Sequence, residues 1–128
     1  MIRYVIKKRF LSYRPEQKKL RTFLVNNKPP ICILCQKQFP LYVLECAHIK
    51  PRNISNYQER HDFNIVNWMC RNCHKLYDYG DLSINSKGIL VESNDISYFD
   101  IDFNLKLEEY YRSNKYFNYH YHHIFKKN

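Results

Sequence analysis

Glycine is almost missing from this chain. Gly80 and Gly88 are the two in 128 residues, so no glycine-rich linker divides it, and the length suits one folded unit. No apolar run is long enough to cross a bilayer as a helix, and nothing points to a membrane partner. The first thirty residues hold no apolar secretory core and are dense in Lys and Arg, which predicts an intracellular protein rather than a secreted one. Acidic side chains are the scarcer sign, 12 against 21 Lys and Arg, for a net charge of +9. Much of the apolar content comes from 12 Tyr and 8 Phe. A chain of this size and polarity gains from a covalent or metal staple.

The cysteines supply one. Cys32 and Cys35 form one Cys-x-x-Cys pair and Cys70 and Cys73 another. In a reducing compartment thiols stay free, so this spacing reads as a tetrahedral zinc site rather than two disulfides. The fifth, Cys46, sits in an apolar strand pattern and reads as a small buried hydrophobe.

The basic charge is concentrated at the start. Residues 1–28 carry nine Lys and Arg against Glu16 alone, interleaved with Tyr4, Phe10, Tyr13 and Phe23. A block of that kind suits a polyanion, because each neutralised phosphate releases condensed counterions. Nucleic acid is the expected partner, with a solvated helix face as the plainer alternative.

Patterning predicts an α+β chain. Ile2–Ile6 reads as a short strand. Pro15 followed by Leu20, Phe23 and Leu24 opens an amphipathic helix that ends near Asn27. Leu41–Ile49 reads as a strand, 50–63 as a polar loop, Ile65–Met69 as a second strand, and Arg71–Tyr79 as a helix closed by Gly80. Leu82–Ile84 and Ile89–Val91 form a hairpin, and a helix is expected over Asn104–Asn118. Trp68 and Tyr77 read as core residues. The units are a basic helical arm (1–28), a core (30–85) and a C-terminal hairpin and helix extension (86–128), all in a single domain.

Three side chains offer chemistry. His74 and Asp78 are four apart on a helix, so they share a face and can hold a divalent cation together. His48, at the end of a strand, titrates near neutral pH and can take a proton from water. Phosphodiester cleavage needs both: an activated water, and positive charge against the phosphate. Lys50, Arg52, Arg71 and Lys75 flank these groups and are candidate phosphate contacts. His61 has no chemical role in this reading. His120, His122 and His123 make a tail that packs by its aromatic neighbours rather than binding metal.

The order strand, His, polar loop, Asn, strand, helix with His resembles the HNH endonucleases, on Leu44-Glu45-Cys46-Ala47-His48-Ile49-Lys50-Pro51 and on residues 64–80, Asn64 to Gly80. Residues 116–120 are more weakly similar to the tails of such proteins in restriction systems. The resemblance implies a ββα-metal core, with His48 as general base, His74 as ligand of a catalytic Mg²⁺ or other divalent cation, and a carboxylate or His one turn later completing the site. It implies DNA as substrate and a 5′-phosphate and a 3′-hydroxyl at the cut. A chain of this length with an added basic arm suggests a restriction-type or mobile-element nuclease, with a symmetric homodimer as a route to cutting both strands.

Two positions depart from the family pattern. Ala47 stands where many members place a metal ligand, and Glu45, two residues back on the same strand face, is the candidate substitute. The middle Asn, which braces the loop carrying the base, is assigned to Asn64 with Asn67 as the alternative. The competing reading is a zinc-stapled nucleic-acid-binding module without turnover, in which Ala47 marks a decayed site.

Overall fold

The computed structural model describes residues 14–94 and 114–127. In chain order the described elements are α1 (Gln17–Asn27), a 3-10 turn (Leu41–Val43), β1 (Leu44–His48), a 3-10 turn (Arg52–Ile54), α2 (Tyr57–Arg60), a 3-10 turn (Phe63–Ile65), β2 (Val66–Cys70), α3 (Arg71–Asp78), β3 (Leu82–Ile84), β4 (Leu90–Glu92) and α4 (Lys115–His123). β1 pairs with β2 and β3 with β4, both antiparallel, in two separate sheets. The class is α+β, as the patterning predicts.

The β1–β2 hairpin is the centre. Its register sets Cys46 opposite Trp68, Ala47 opposite Asn67 and His48 opposite Val66. The ladder extends through Ile49 N–H to the Ile65 carbonyl at 2.7 Å, and Ile33 N–H donates to Trp68 at 2.9 Å, which ties the first cysteine turn to β2. All five residues of β2 are buried. The polar one, Asn67, accepts the N–H of Trp68 at 2.8 Å. From α1, Leu20 and Leu24 are fully buried, one helical turn apart, while Lys18 and Lys19 stay outside.

α3 packs on this hairpin and is anchored by Tyr77, whose hydroxyl donates to the Ile49 carbonyl at 2.8 Å. Trp68, Tyr77 and Phe117 are among the largest fully buried side chains, each worth roughly 2–3 kcal/mol of transfer free energy. Gly80 ends the helix at φ +81°, and a Cβ there would strike the Ile124 carbonyl oxygen. Glycine is required twice over at this position, by backbone conformation and by space.

The C-terminal helix braces α3 from behind. His120 donates from Nε2 to the Tyr77 carbonyl at 2.7 Å, meets the Ser83 hydroxyl at Nδ1 at 2.7 Å, and stacks on the Tyr77 ring at 3.5 Å. Packing, not metal binding, is the role of this histidine. Nearby, Asp81 accepts from Ser93 at 2.6 Å and from the Lys126 ammonium at 3.0 Å.

Several boundaries differ from the sequence reading. The strand expected from Leu41 starts at Leu44, because Pro40 turns Leu41–Val43 into a 3-10 turn closed by Val43 N–H to Pro40 O at 3.0 Å. The expected loop 50–63 contains α2, held by a capping box. There Asn56 accepts from Glu59 N–H at 2.8 Å, and Glu59 accepts from Asn56 N–H at 2.9 Å. The helix expected over Asn104–Asn118 does not run through Asn114, which is non-helical and caps α4 by accepting from Tyr116 N–H at 2.8 Å. The rest of that helix, and the expected strand Ile2–Ile6, lie outside the described residues.

Candidate functional site

The cysteine platform assembles from two local turns. Gln36 N–H closes the first by donating to the Cys32 carbonyl at 2.8 Å, with Gln36 itself at φ 61°. In the second, Cys70 is the N-cap of α3, and its sulfur accepts from Cys73 N–H at 3.5 Å. The helix N-terminus favours thiolate there. The four Sγ atoms lie within 4.8 Å of one another. Sulfurs bound at ~2.3 Å to one tetrahedral zinc stand about 3.8 Å apart, so the set fits that metal. Hydrogen bonds among the sulfurs split their proton affinities: Cys35 is held down to about 7 and Cys70 far lower, while Cys32 and Cys73 are pushed up. Four thiol donors this close suit a cation, which favours their thiolate forms. Cys46 stands outside this group, half-buried, its thiol pushed up to about 11 by burial.

From that platform β1 and α3 present their polar ends to one cleft of about 350 Å³, lined by Arg14, Gln17, Cys46, His48, Pro51, Arg52, Asn53, His74 and Asp78. Strand and helix thus bring His48, His74 and Asp78 to a common space. His74 Nε2 lies 3.2 Å from an Asp78 carboxylate oxygen, one helical turn on. Two ligands about 2.1 Å from one octahedral ion stand about 3 Å apart, so this pair fits a Mg²⁺-type cation. Burial raises the Asp78 carboxyl, opposed by His74 and Lys75.

His48 is held neutral. Burial, and then the charge of Arg14, lower it to about 4, against a smaller opposing effect of Glu16. Its Nε2 is buried and has no hydrogen-bond partner among the described residues, which leaves a basic lone pair for a water or substrate proton.

The remaining candidates divide. Arg52 lines the cleft and is fixed by Glu16 through bonds of 2.8 and 3.3 Å. Burial raises the Glu16 carboxyl, yet the hydrogen bond and charge of Arg52 outweigh it and hold the group low. Lys50 faces elsewhere: its ammonium bridges both Glu59 oxygens, at 3.0 and 2.9 Å, and lies over the Tyr119 ring. Arg71 and Lys75 line an adjoining hollow with Glu45, His74 and Asp78. Glu45 meets His74 at Nδ1, 2.7 Å away, on the ring edge opposite the one near Asp78.

Asn64 is exposed and is not among the residues lining either cavity. Its N–H donates to Asp62 at 2.9 Å and its carbonyl accepts from Asn114 at 3.2 Å. Asn67, the alternative, is buried in β2 opposite Ala47. The loop after the base is tied down by other residues: Ser55 to Pro51 at 2.8 Å, Arg60 to Arg52 at 3.1 Å, and Tyr116 to Asp62 at 2.7 Å.

Sequence reasoning missed Arg14, Gln17 and Asn53 as cleft residues, and the Glu16–Arg52 pair. The available signal was Glu16 itself, a lone acid in a basic segment. The comparisons bear on the middle of the chain. No curated protein matches it. Residues 32–85 match the HNH endonuclease family model, the span that contains the four cysteines, His48, His74 and Asp78 and leaves out Arg14 and Gln17. With two strands, a helix and a metal-fitting cysteine set in this order, that segment is similar to the HNH endonucleases, a family that acts on nucleic acids.

Proposed function

We propose that this protein is a metal-dependent endonuclease that hydrolyses DNA phosphodiester bonds, with zinc in the four-cysteine site and Mg²⁺ or a similar cation at His74 and Asp78. The observation that carries this reading is the convergence of a neutral histidine and a helical His–Asp pair on one cleft that Arg14 and Arg52 also line. Bound in that place, the cation supplies positive charge against the phosphate and the departing oxygen.

His48, unprotonated at neutral pH, accepts the proton of the attacking water at Nε2. A phosphate in the cleft raises the proton affinity of the ring, so the base strengthens when substrate is present. Arg52, preset by Glu16, and Arg14 hold the anionic backbone by charge, without reading sequence. Lys50 belongs to the loop's internal bracing, because Glu59 occupies its ammonium. A restriction-type or mobile-element role, acting as a homodimer, extends the same reading.

One observation favours the module without turnover: Ala47 is fully buried and offers no ligand atom beside the base. Supercoiled plasmid incubated with zinc-loaded protein and Mg²⁺, Mn²⁺ or EDTA separates the two. The nuclease nicks with divalent metal, stops in EDTA and loses nicking in His74→Ala. The module binds DNA and never cuts it. On long natural DNA, discrete fragments mark site recognition and a smear marks its absence.

A further inference from the structure

Glu45 stands two residues before Ala47, where a longer acidic side chain could take over the missing ligand. Its contacts give it a different task. Alternation along β1 puts Glu45 and Ala47 on one strand face and Cys46 and His48 on the other. The cavity that holds His48 is lined by Cys46, His74 and Asp78 but not by Glu45, which lines the adjoining hollow with Arg71 and Lys75. One carboxylate oxygen of Glu45 is 2.7 Å from His74 Nδ1 and the other is 3.8 Å from the Arg71 guanidinium. Asp78 is beside the opposite ring nitrogen, Nε2, at 3.2 Å.

A carboxylate can only accept, so Nδ1 is the nitrogen that donates, and Nε2 is the one whose lone pair can meet a cation. We infer that Glu45 is a positioning residue, which grips His74 by Nδ1 and so presents Nε2, beside Asp78, to the divalent ion. This rests on the assignment of His74 and Asp78 to that ion. A carboxylate behind a metal-binding imidazole fixes its tautomer and ring orientation and raises its basicity. Where Ala47 adds no ligand, ordering the ligand that remains is the route left to strengthen the site. The His74 side chain is about a quarter exposed, so without Glu45 little on its solvent side holds the ring plane.

The test is Mn²⁺ affinity of the full-length, zinc-loaded protein, by calorimetry or by the resonance of free Mn²⁺, in the absence of DNA. Glu45→Ala is expected to weaken binding about 10- to 100-fold. Glu45→Gln, whose amide oxygen still accepts from Nδ1, is expected to stay close to wild type. In zinc-loaded protein without Mg²⁺ the ¹⁵N spectrum of the neutral His74 ring should show the proton on Nδ1, and Glu45→Ala should remove that signature. Wild-type Mn²⁺ affinity in Glu45→Ala, with binding still lost in His74→Ala, overturns the positioning role and leaves the ion site standing. Equal loss in Glu45→Gln and Glu45→Ala, with the Nδ1 proton unchanged, also overturns it, because Glu45 is then a direct ligand. Full Mn²⁺ affinity in His74→Ala overturns both the role and the site it serves.

Discussion

Arg52 is held in place before any nucleic acid arrives, and removing it has two effects that must be kept apart. Glu16 is nearly fully buried against it, so Arg52→Ala strands a carboxylate and should cost roughly 3 kcal/mol of stability in urea unfolding. Adding Glu16→Gln should return part of that, because the stranded charge is gone. DNA affinity is then best read in the double variant, where folding and phosphate binding are no longer mixed. His120 makes a separate prediction for pH. Burial lowers it from 6.5 to about 4, so the unfolded chain binds its proton first. The stability it contributes is complete above 6.5 and lost as pH falls toward 4, by roughly 3 kcal/mol at the end of that range. His48 has the same direction of shift. Unfolding of zinc-loaded wild type and His120→Gln at pH 7 and pH 5 isolates the His120 share: the variant should lose less stability between those two values.

α3 links the platform to the chemistry: Cys70 and Cys73 are at its start, His74 and Asp78 on its cleft side, Tyr77 on its buried side. Its end is fixed by Gly80, where a methyl group would strike the Ile124 carbonyl. Gly80→Ala should cost about 2 kcal/mol or more, from the positive φ and the clash together, and show as a lowered thermal midpoint. Much of this element was legible in the sequence, because its evidence is local: Cys-x-x-Cys spacing, a His and an Asp four apart, a closing Gly. The short helix α2 carried a readable sign too, Asn56 with Glu59 three residues on, but the polar composition around it outweighed that cue. The break at Asn114 was hidden by an apolar rhythm that carries on past the cap. Glu16 with Arg52, and His120 with Tyr77 and Ser83, join residues dozens of positions apart, and no local pattern encodes such pairs. The same holds for Glu45, whose place on Nδ1 of His74 depends on how α3 lies across β1.

For the whole molecule, the zinc-fitting cluster joins the first cysteine turn to the start of α3, and Arg14 and Gln17, at the start of the basic helix and outside the family-matched span, help to line the cleft. Removing the metal should therefore disturb both ends of the site. Chelation, or Cys73→Ser, is expected to lower the thermal midpoint and abolish Mn²⁺ binding at His74 and Asp78, with zinc content measured by atomic absorption. The central claim is that an imidazole on β1 and a cation held by α3 act on one phosphate. Its most direct test is Mg²⁺-dependent nicking of supercoiled DNA by His48→Ala, measured alongside that variant's DNA and Mn²⁺ affinities. The expected result is loss of nicking with both affinities retained. Nicking at the wild-type rate would contradict the account.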